Sequence, residues 1–386
     1  MKKIAIIFGT RPDTIKLAPI IKALQKEKKL FKVITIATSQ HRAMLDQVLD
    51  VFSIKPDYDL NIMKKRQTLA EITKNIIVNL DKVLEKESPD MVIVQGDTST
   101  TCIGALAAFY RKIPVCHAEA GLRTDNIYNP FPEEMNRRLT SVITALHLPP
   151  TDLSALALKK EHIPASKIFV TGNTVIDALK FVVKNNYKFA QSEISNFLKR
   201  KGKHVLLTMH RRENLGLPMT AACLAIKRLA NEFPQHSFIF PVHLNPAVRD
   251  VVYPILGNLE NILLIEPLKY SDFSNLLSRM NFIITDSGGV QEEGPSLGKP
   301  VLVLRETTER PEAIKFGTAK LVGLNEEKIY RNAKKLFTDK EFYNKMAKSV
   351  NPYGDGKAAE RTVYAIKKYF GIKSNVISEF KPKKSK

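Results

Sequence analysis

FIITDSGGVQEEGPSLGKPVLVLRE, residues 282–306, decides how the chain is read. Phe282-Ile283-Ile284 is an apolar run without alternation, the pattern of a strand buried on both faces. Ser287, Gly288 and Gly289 follow as a small-residue turn, and a helical stretch opens after them. A second apolar run, residues 301–304, reads as the next strand. Strand, turn, helix and strand in this order describe a parallel sheet with its crossover.

The same alternation runs the length of the chain. In the first half, "KIAIIF", "KVITIAT", "MVIVQ", "IPVCHA", "ALHLPP" and "KIFVTG" read as strands. "DTIKLAPIIKALQKE" and "LAEITKNIIVNLDKVLEKE" read as helices between them. In the second half the strands are "HVLLTM", "SFIFPV", "NILLIEP", "FIITD", "KPVLVLRE" and "AKLVG". Two sets of six predict an α/β protein of two doubly wound, Rossmann-like domains rather than one very wide sheet. The 386 residues fit that count, at about 100–200 residues per domain. The expected division is 1–171, 172–357 and a closing helix with a basic tail over 358–386. Ligands of doubly wound sheets sit beyond the carboxyl ends of the strands. Two such domains are therefore expected to face a shared cleft.

Composition narrows the function classes. The longest apolar runs are far below the 18 or more residues of a membrane span. "MKKIAIIFGTRPD" has a basic start but too short an apolar run for a secretory leader, so it reads as a first strand and a cytoplasmic protein is expected. Cys102, Cys116 and Cys223 lack metal-ligand spacing and read as buried, reduced thiols. The net charge of +21 raises a nucleic-acid partner. The lysines are spread along helices, however, and no basic motif with interleaved aromatics occurs, so no nucleic acid is expected. The positive field favours small anionic ligands instead.

Polar and charged residues collect just after the strands. Arg11 and Lys16 follow the first, Asp97 follows "MVIVQ", and Glu119 and Arg123 follow "IPVCHA". The next loop delivers Glu133, Glu134, Asn136 and Arg137. In the second half, His210 to Glu213, His243, Ser287 to Gly289 and Arg310 hold the equivalent places. Each alone has a structural explanation as a cap or an ion pair. Together they give basic groups in both halves and carboxylates mainly in the first.

The turn at Ser287-Gly288-Gly289 leads into a helix N-terminus, which suits a diphosphate. A carboxylate one turn on, from Glu292 or Glu293, suits a ribose diol. A nucleoside diphosphate meets both demands. No Walker lysine follows the glycines and no G-x-G-x-x-G follows the first strand, so neither a phosphoryl-transfer loop nor a bound dinucleotide is indicated.

These blocks resemble the non-hydrolysing UDP-N-acetylglucosamine 2-epimerases. "FGTRPDTIKLAP", "SQHRAMLDQVL", "RQTLAEIT", "QGDTSTT", "HAEAGLRT", "PFPEEMNRRLT", "VTGNTVIDAL", "HRREN", "TDSGGVQEE", "LGKPVLVLR", "TERPE" and "NPYGDGKAA" stand in the family's order, from residue 8 to about 361. The resemblance implies the glycosyltransferase B type of fold, with a last helix that crosses back to the first domain. It implies reversible inversion at C2 of UDP-GlcNAc to UDP-ManNAc, through elimination of UDP to a 2-acetamidoglucal and its re-addition, without nicotinamide or metal. Cell-surface polysaccharide is the family's usual destination, and a homodimer its usual state.

By match to the family's motifs, Asp97, Glu119 and Glu133 form the acid/base group and His210 lies beside the diphosphate. Arg11, Lys16, Arg137, Ser287, Gly288, Gly289, Glu293 and Arg310 bind the UDP-sugar, with Phe273 near the uracil. A second UDP-GlcNAc, bound as activator, would meet Gln40, His41, Arg66, Gln67, Glu213 and His243. The chain departs from the family pattern at Asp13, usually Glu, at Ser39, usually Gly, and at Gly294, usually Ala; Ala43 stands where some members carry a polar residue. A UDP-sugar-dependent glycosyltransferase of the same fold is the main rival. A hydrolysing variant, a nucleotide-sugar sensor and a di-acetamido substrate also stay open at this point.

Overall fold

The computed structural model describes residues 1–39, 42–62, 67–124 and 126–382. The chain forms two compact units, Met1–Phe181 with Tyr353–Lys381, and Val182–Pro352. Among the described residues each unit carries one six-stranded parallel sheet.

The first sheet contains β1 (Lys2–Phe8), β2 (Phe31–Ala37), β3 (Tyr58–Asp59), β4 (Met91–Gln95), β5 (Val115–Ala118) and β6 (Leu146–Leu148), in the order β3-β2-β1-β4-β5-β6. The second contains β7 (His204–Thr208), β8 (Ser237–Pro241), β9 (Ile262–Ile265), β10 (Phe282–Thr285), β11 (Val301–Val303) and β12 (Ala319–Leu321), in the order β12-β11-β10-β7-β8-β9. The two orders are the same doubly wound pattern. The chain reverses its winding direction between β1 and β4, and again between β7 and β10. These switch points are where such sheets open a crevice at their carboxyl edge.

Burial explains the continuous apolar runs. All of Ile4 to Phe8 in β1 and all of β4 are buried, because helices cover both faces. In the first unit Ala5, Ile7, Val92 and Val94 pack with Leu80, Leu84, Ala105 and Ala108. In the second, Leu207, Phe238, Phe240 and Ile284 pack with Ile226, Leu229 and Leu336. The helix Leu69–Glu87 covers the residues expected of it and starts at a Thr68–Glu71 capping box.

One expected strand is absent. "KIFVTG" is extended and donates from Phe169 N to the His147 carbonyl and from Thr171 N to the Pro149 carbonyl, but forms only a single bridge, His147 to Ile168. The next rung needs an N–H from residue 149, which is proline. The sixth strand of that sheet is instead the two-residue β3, too short to be seen as a periodic run.

The first unit is completed from the far end of the chain. The helix Ala358–Tyr369 packs on the helix Arg11–Lys26, with Lys367 Nζ 2.7 Å from Glu27 Oε1. Its leading N–H groups, from Ala358 and Ala359, donate to the Asp177 carboxylate at 3.2 and 2.9 Å. Beyond it Phe380 is buried with Ala155 and Val170, and its N–H donates to the Val170 carbonyl. Among the described residues no helix is long and apolar enough to cross a membrane.

Candidate active site

At the first switch point, Gly9 follows β1 because nothing larger fits. A Cβ there would lie 2.3 Å from the hydroxyls of both Thr38 and Thr100, which bond each other at 2.9 Å. The helix Arg11–Lys26 then begins and brings Lys16 toward β5. Lys16 Nζ donates to Glu119 Oε1 at 2.5 Å and Oε2 at 2.7 Å. Gln95, the last residue of β4, donates to Oε2 at 2.6 Å, and Asn173 donates to Oε1 at 3.0 Å. Glu119 itself has φ +59°, a left-handed conformation that is costly for a side chain of its size. Gly96 takes φ +71°, a left-handed conformation that favours glycine, and a Cβ there would be in ordinary contact with Glu119 Oε2, at 3.4 Å.

A second cluster stands beside it. Asp97 Oδ2 accepts from Arg137 Nε at 2.9 Å and Nη2 at 2.6 Å. Arg137 also donates to Glu134, which is fully buried and takes further bonds from Arg138 Nε and the Thr124 N–H. Glu133, at the start of the same helix, is half-buried and makes no hydrogen bond or ion pair among the described residues. The same holds for Arg11. Asp13, in the first turn of the first helix, is buried with its Oδ2 3.2 Å from the Thr98 hydroxyl. Burial pushes its carboxyl up to about 7, with the charge of Asp97 adding to the effect and Thr98 and Lys16 opposing it. His117, buried on β5, places Nε2 2.7 Å from the Gly96 carbonyl, and burial pulls its imidazole down to about 4.

At the second switch point Asp286, just after β10, gathers the loop that follows β7. Its Oδ2 accepts from the N–H groups of His210 and Arg211, both at 2.9 Å, and from Asn214 Nδ2 at 3.0 Å. His210 Nδ1 lies 3.2 Å from the other oxygen. Burial raises the Asp286 carboxyl, but His210 and these N–H groups outweigh it and hold the group below the usual carboxylate range. His210 stacks on His243, with ring centroids 6.0 Å apart.

Next to it, Gly289 has ordinary helical angles, and a Cβ there would meet nothing within 4 Å. A Cβ on Gly288 would meet only Arg211 Nη2, at 3.7 Å. These glycines therefore provide open access to the backbone rather than an unusual turn. Gly294 does the opposite: a Cβ there would press on Ile283 and Val301 at 2.7 and 2.8 Å, so it sets the close packing of helix on sheet. Arg310 donates through Nε to the buried Glu292. Thr308 bonds Gln291 at 2.6 Å, so the segment after β11 is tied to the helix Val290–Ser296.

Of the residues singled out in the sequence, direct contacts join Lys16 to Glu119, Asp97 to Arg137, and His210 to His243. Glu293 lies buried in the first turn of the helix after Gly289, and Phe273 is half-buried on the helix Tyr270–Arg279. Gln67 donates to the Ile62 carbonyl, and Glu213 is exposed with Arg211 Nη1 3.9 Å away. Gln40, His41 and Arg66 lie outside the described residues. Gln95, Asn173 and Asp286 were missed. Gln95 and Asp286 carried a usable signal, a polar residue closing an apolar run. Asn173 follows "KIFVTG", which read as a strand, and so carried a similar signal.

Comparison with known proteins agrees over nearly the whole chain. The model of the UDP-N-acetylglucosamine 2-epimerase family matches residues 22–367. The UDP-N-acetylglucosamine 2-epimerase of Bacillus subtilis is 51% identical over 382 residues, 98% of this chain and 99% of that protein. The structure of UDP-GlcNAc 2-epimerase from Neisseria meningitidis bound to UDP-GlcNAc superposes with a TM-score of 0.85 at 49% identity, over 95% of this chain and 100% of the other. That of the Methanocaldococcus jannaschii enzyme in complex with UDP-GlcNAc and UDP gives 0.78 at 36% identity, over 95% and 99%. The chain belongs to the UDP-N-acetylglucosamine 2-epimerase family of isomerases.

Proposed function

We propose that the chain interconverts UDP-GlcNAc and UDP-ManNAc by elimination and re-addition of UDP. The observation that carries this reading is the unequal state of the three carboxylates. Glu119 is clamped by Lys16, Gln95 and Asn173, and Asp97 by Arg137, whereas Glu133 is unbonded among the described residues. A carboxylate whose oxygens already accept several donors is a poor base, and one without them is free to take a proton.

The C1–O bond to UDP breaks first, leaving an oxocarbenium-like centre that acidifies C2–H. A carboxylate then removes that proton, and the C–H pair becomes the C1=C2 bond of the glucal. The fixed negative charges of Asp97 and Glu119 favour the developing ring cation. In the reverse sense, UDP oxygen re-adds to C1 and a proton returns to C2 from the other face. Ser287, Gly288 and Gly289 present open backbone to the diphosphate, with His210 beside it and Glu293 toward the ribose. Arg11 and Arg310 add positive charge, and Phe273 lies against the uracil. A second UDP-GlcNAc acts as activator through Gln40, His41, Arg66, Gln67, Glu213 and His243. The working form is a homodimer, and the product feeds cell-surface polysaccharide.

Proton NMR of the protein with UDP-GlcNAc in deuterated water tests this. Deuterium at C2, with UDP-ManNAc rising to a plateau, is expected. Free ManNAc and UDP accumulating without a plateau would mean hydrolysis, and an unchanged spectrum would turn the reading toward a transferase.

A further inference from the structure

We propose that Asn173 is a positioning residue of the reaction: its amide fixes the plane of the Glu119 carboxylate from a point anchored by the returning chain. The inference rests on the catalytic part given to Glu119 above. Asn173 is buried and follows Gly172, which has φ +84°. All of its polar groups are engaged. Nδ2 donates to Glu119 Oε1 at 3.0 Å, and Oδ1 accepts from the Val175 N–H at 3.0 Å. The backbone N–H donates to the Tyr353 carbonyl at 2.6 Å, and the carbonyl accepts from Ile176 N.

The Val175 N–H settles which way the amide faces. It can only donate, so the oxygen of Asn173 must turn to it and the NH₂ group to Glu119. Lys16, from the first helix, bonds Glu119 directly, and Asp97, Arg123 and His117 on β5 are titratable groups of the same neighbourhood; burial keeps His117 neutral through the ordinary assay range. Lys16 is a flexible point charge that can follow a carboxylate as it rotates. Gln95 and Asn173 are short, planar, neutral donors on opposite oxygens, and they define one orientation. Asn173 is also the residue to which Tyr353, the first residue of the returning segment, is directly bonded. The returning segment thus joins the first unit at the holder of Glu119.

Two variants separate this part from simple capping of the helix Thr174–Val182. Asn173→Asp keeps an acceptor for Val175 but loses the donor and sets a like charge against Glu119. Asn173→Ser keeps a capping oxygen but is too short to reach Glu119. For Asn173→Asp we expect kcat to fall by roughly 10- to 100-fold, as small misplacements at reacting groups do, with KM nearly unchanged. The acid limb of its kcat–pH profile should move to higher pH, since a neighbouring negative charge opposes ionisation of Glu119. Asn173→Ser should lose kcat without that shift. Wild-type kcat and pH profile in both would overturn the proposal. Should Asn173→Asp fail to fold, the kcat of Asn173→Ser decides alone. A crystal structure of Asn173→Ser gives a reading independent of activity: the Glu119 carboxylate should have rotated out of its present plane, away from its bond to Gln95, with Lys16 following it, and an unmoved carboxylate would sink the idea even if the assigned reaction itself proved wrong.

Discussion

Asp13 occupies the first turn of the helix Arg11–Lys26, buried, with Asp97 acting on it. Its carboxyl is raised from 3.8 to about 7, so between those values the native chain holds a proton that the unfolded chain has released. Stability falls with rising pH wherever the native state binds more protons. This group therefore weakens the fold progressively as pH rises through that window, and most above it. An amide at this position removes the titration. We expect the Asp13→Asn variant to gain on the order of 2 kcal/mol relative to wild type between pH 5 and pH 8 in urea unfolding. An equal difference at both pH values would show that Asp13 does not titrate there. At this scale the sequence was informative about place and poor about partners. Asp97, Glu119 and His210 were legible because polar residues ending apolar runs fall at the carboxyl edge of a doubly wound sheet. Their partners depend on tertiary contact: Lys16 and Glu119 are 103 positions apart, and Asn173 and Glu119 are 54 apart.

At the scale of elements, the two glycine turns look alike in sequence and differ in structure. Gly9 is walled in by two bonded threonine hydroxyls, whereas Gly289 faces open space. Gly9→Ala forces apart Thr38 and Thr100 and should cost about 1–3 kcal/mol, seen as a lowered Tm. Gly289→Ala should leave Tm unchanged and weaken UDP binding in calorimetry, because the methyl group covers the backbone that the diphosphate is proposed to approach. Equal Tm losses in the two variants would contradict the distinction. Among the described residues, periodicity found eleven of the twelve strands, because strands buried on both faces announce themselves as apolar runs. It misread "KIFVTG", which has the composition of a strand but faces a proline where its next rung should form.

On the scale of the molecule, the first unit depends on a segment made after the second. Phe380 is buried against Val170 and Ala155 and lies 3.4 Å from where a Cβ on Gly172 would sit, next to Asn173. Phe380→Ala should cost about 3 kcal/mol and lower the Tm of the first unit by several degrees in calorimetry. An unchanged transition would mean the tail is not part of that unit's fold.

The division of the first unit into two sequence segments also has a consequence in time. On the ribosome the intervening Val182–Pro352 emerges at about 5–20 residues per second, an interval on the order of ten to thirty seconds. Throughout it the helix Arg11–Lys26 lacks the helix Ala358–Tyr369 that packs on it, and Asn173 has no Tyr353 to bond. The stretch Val182–Pro352, which carries the whole second sheet, is free to finish folding while the first unit, begun earlier, still waits with an apolar flank in water. The nascent chain is thus most exposed to capture by chaperones or proteases at the part it made first.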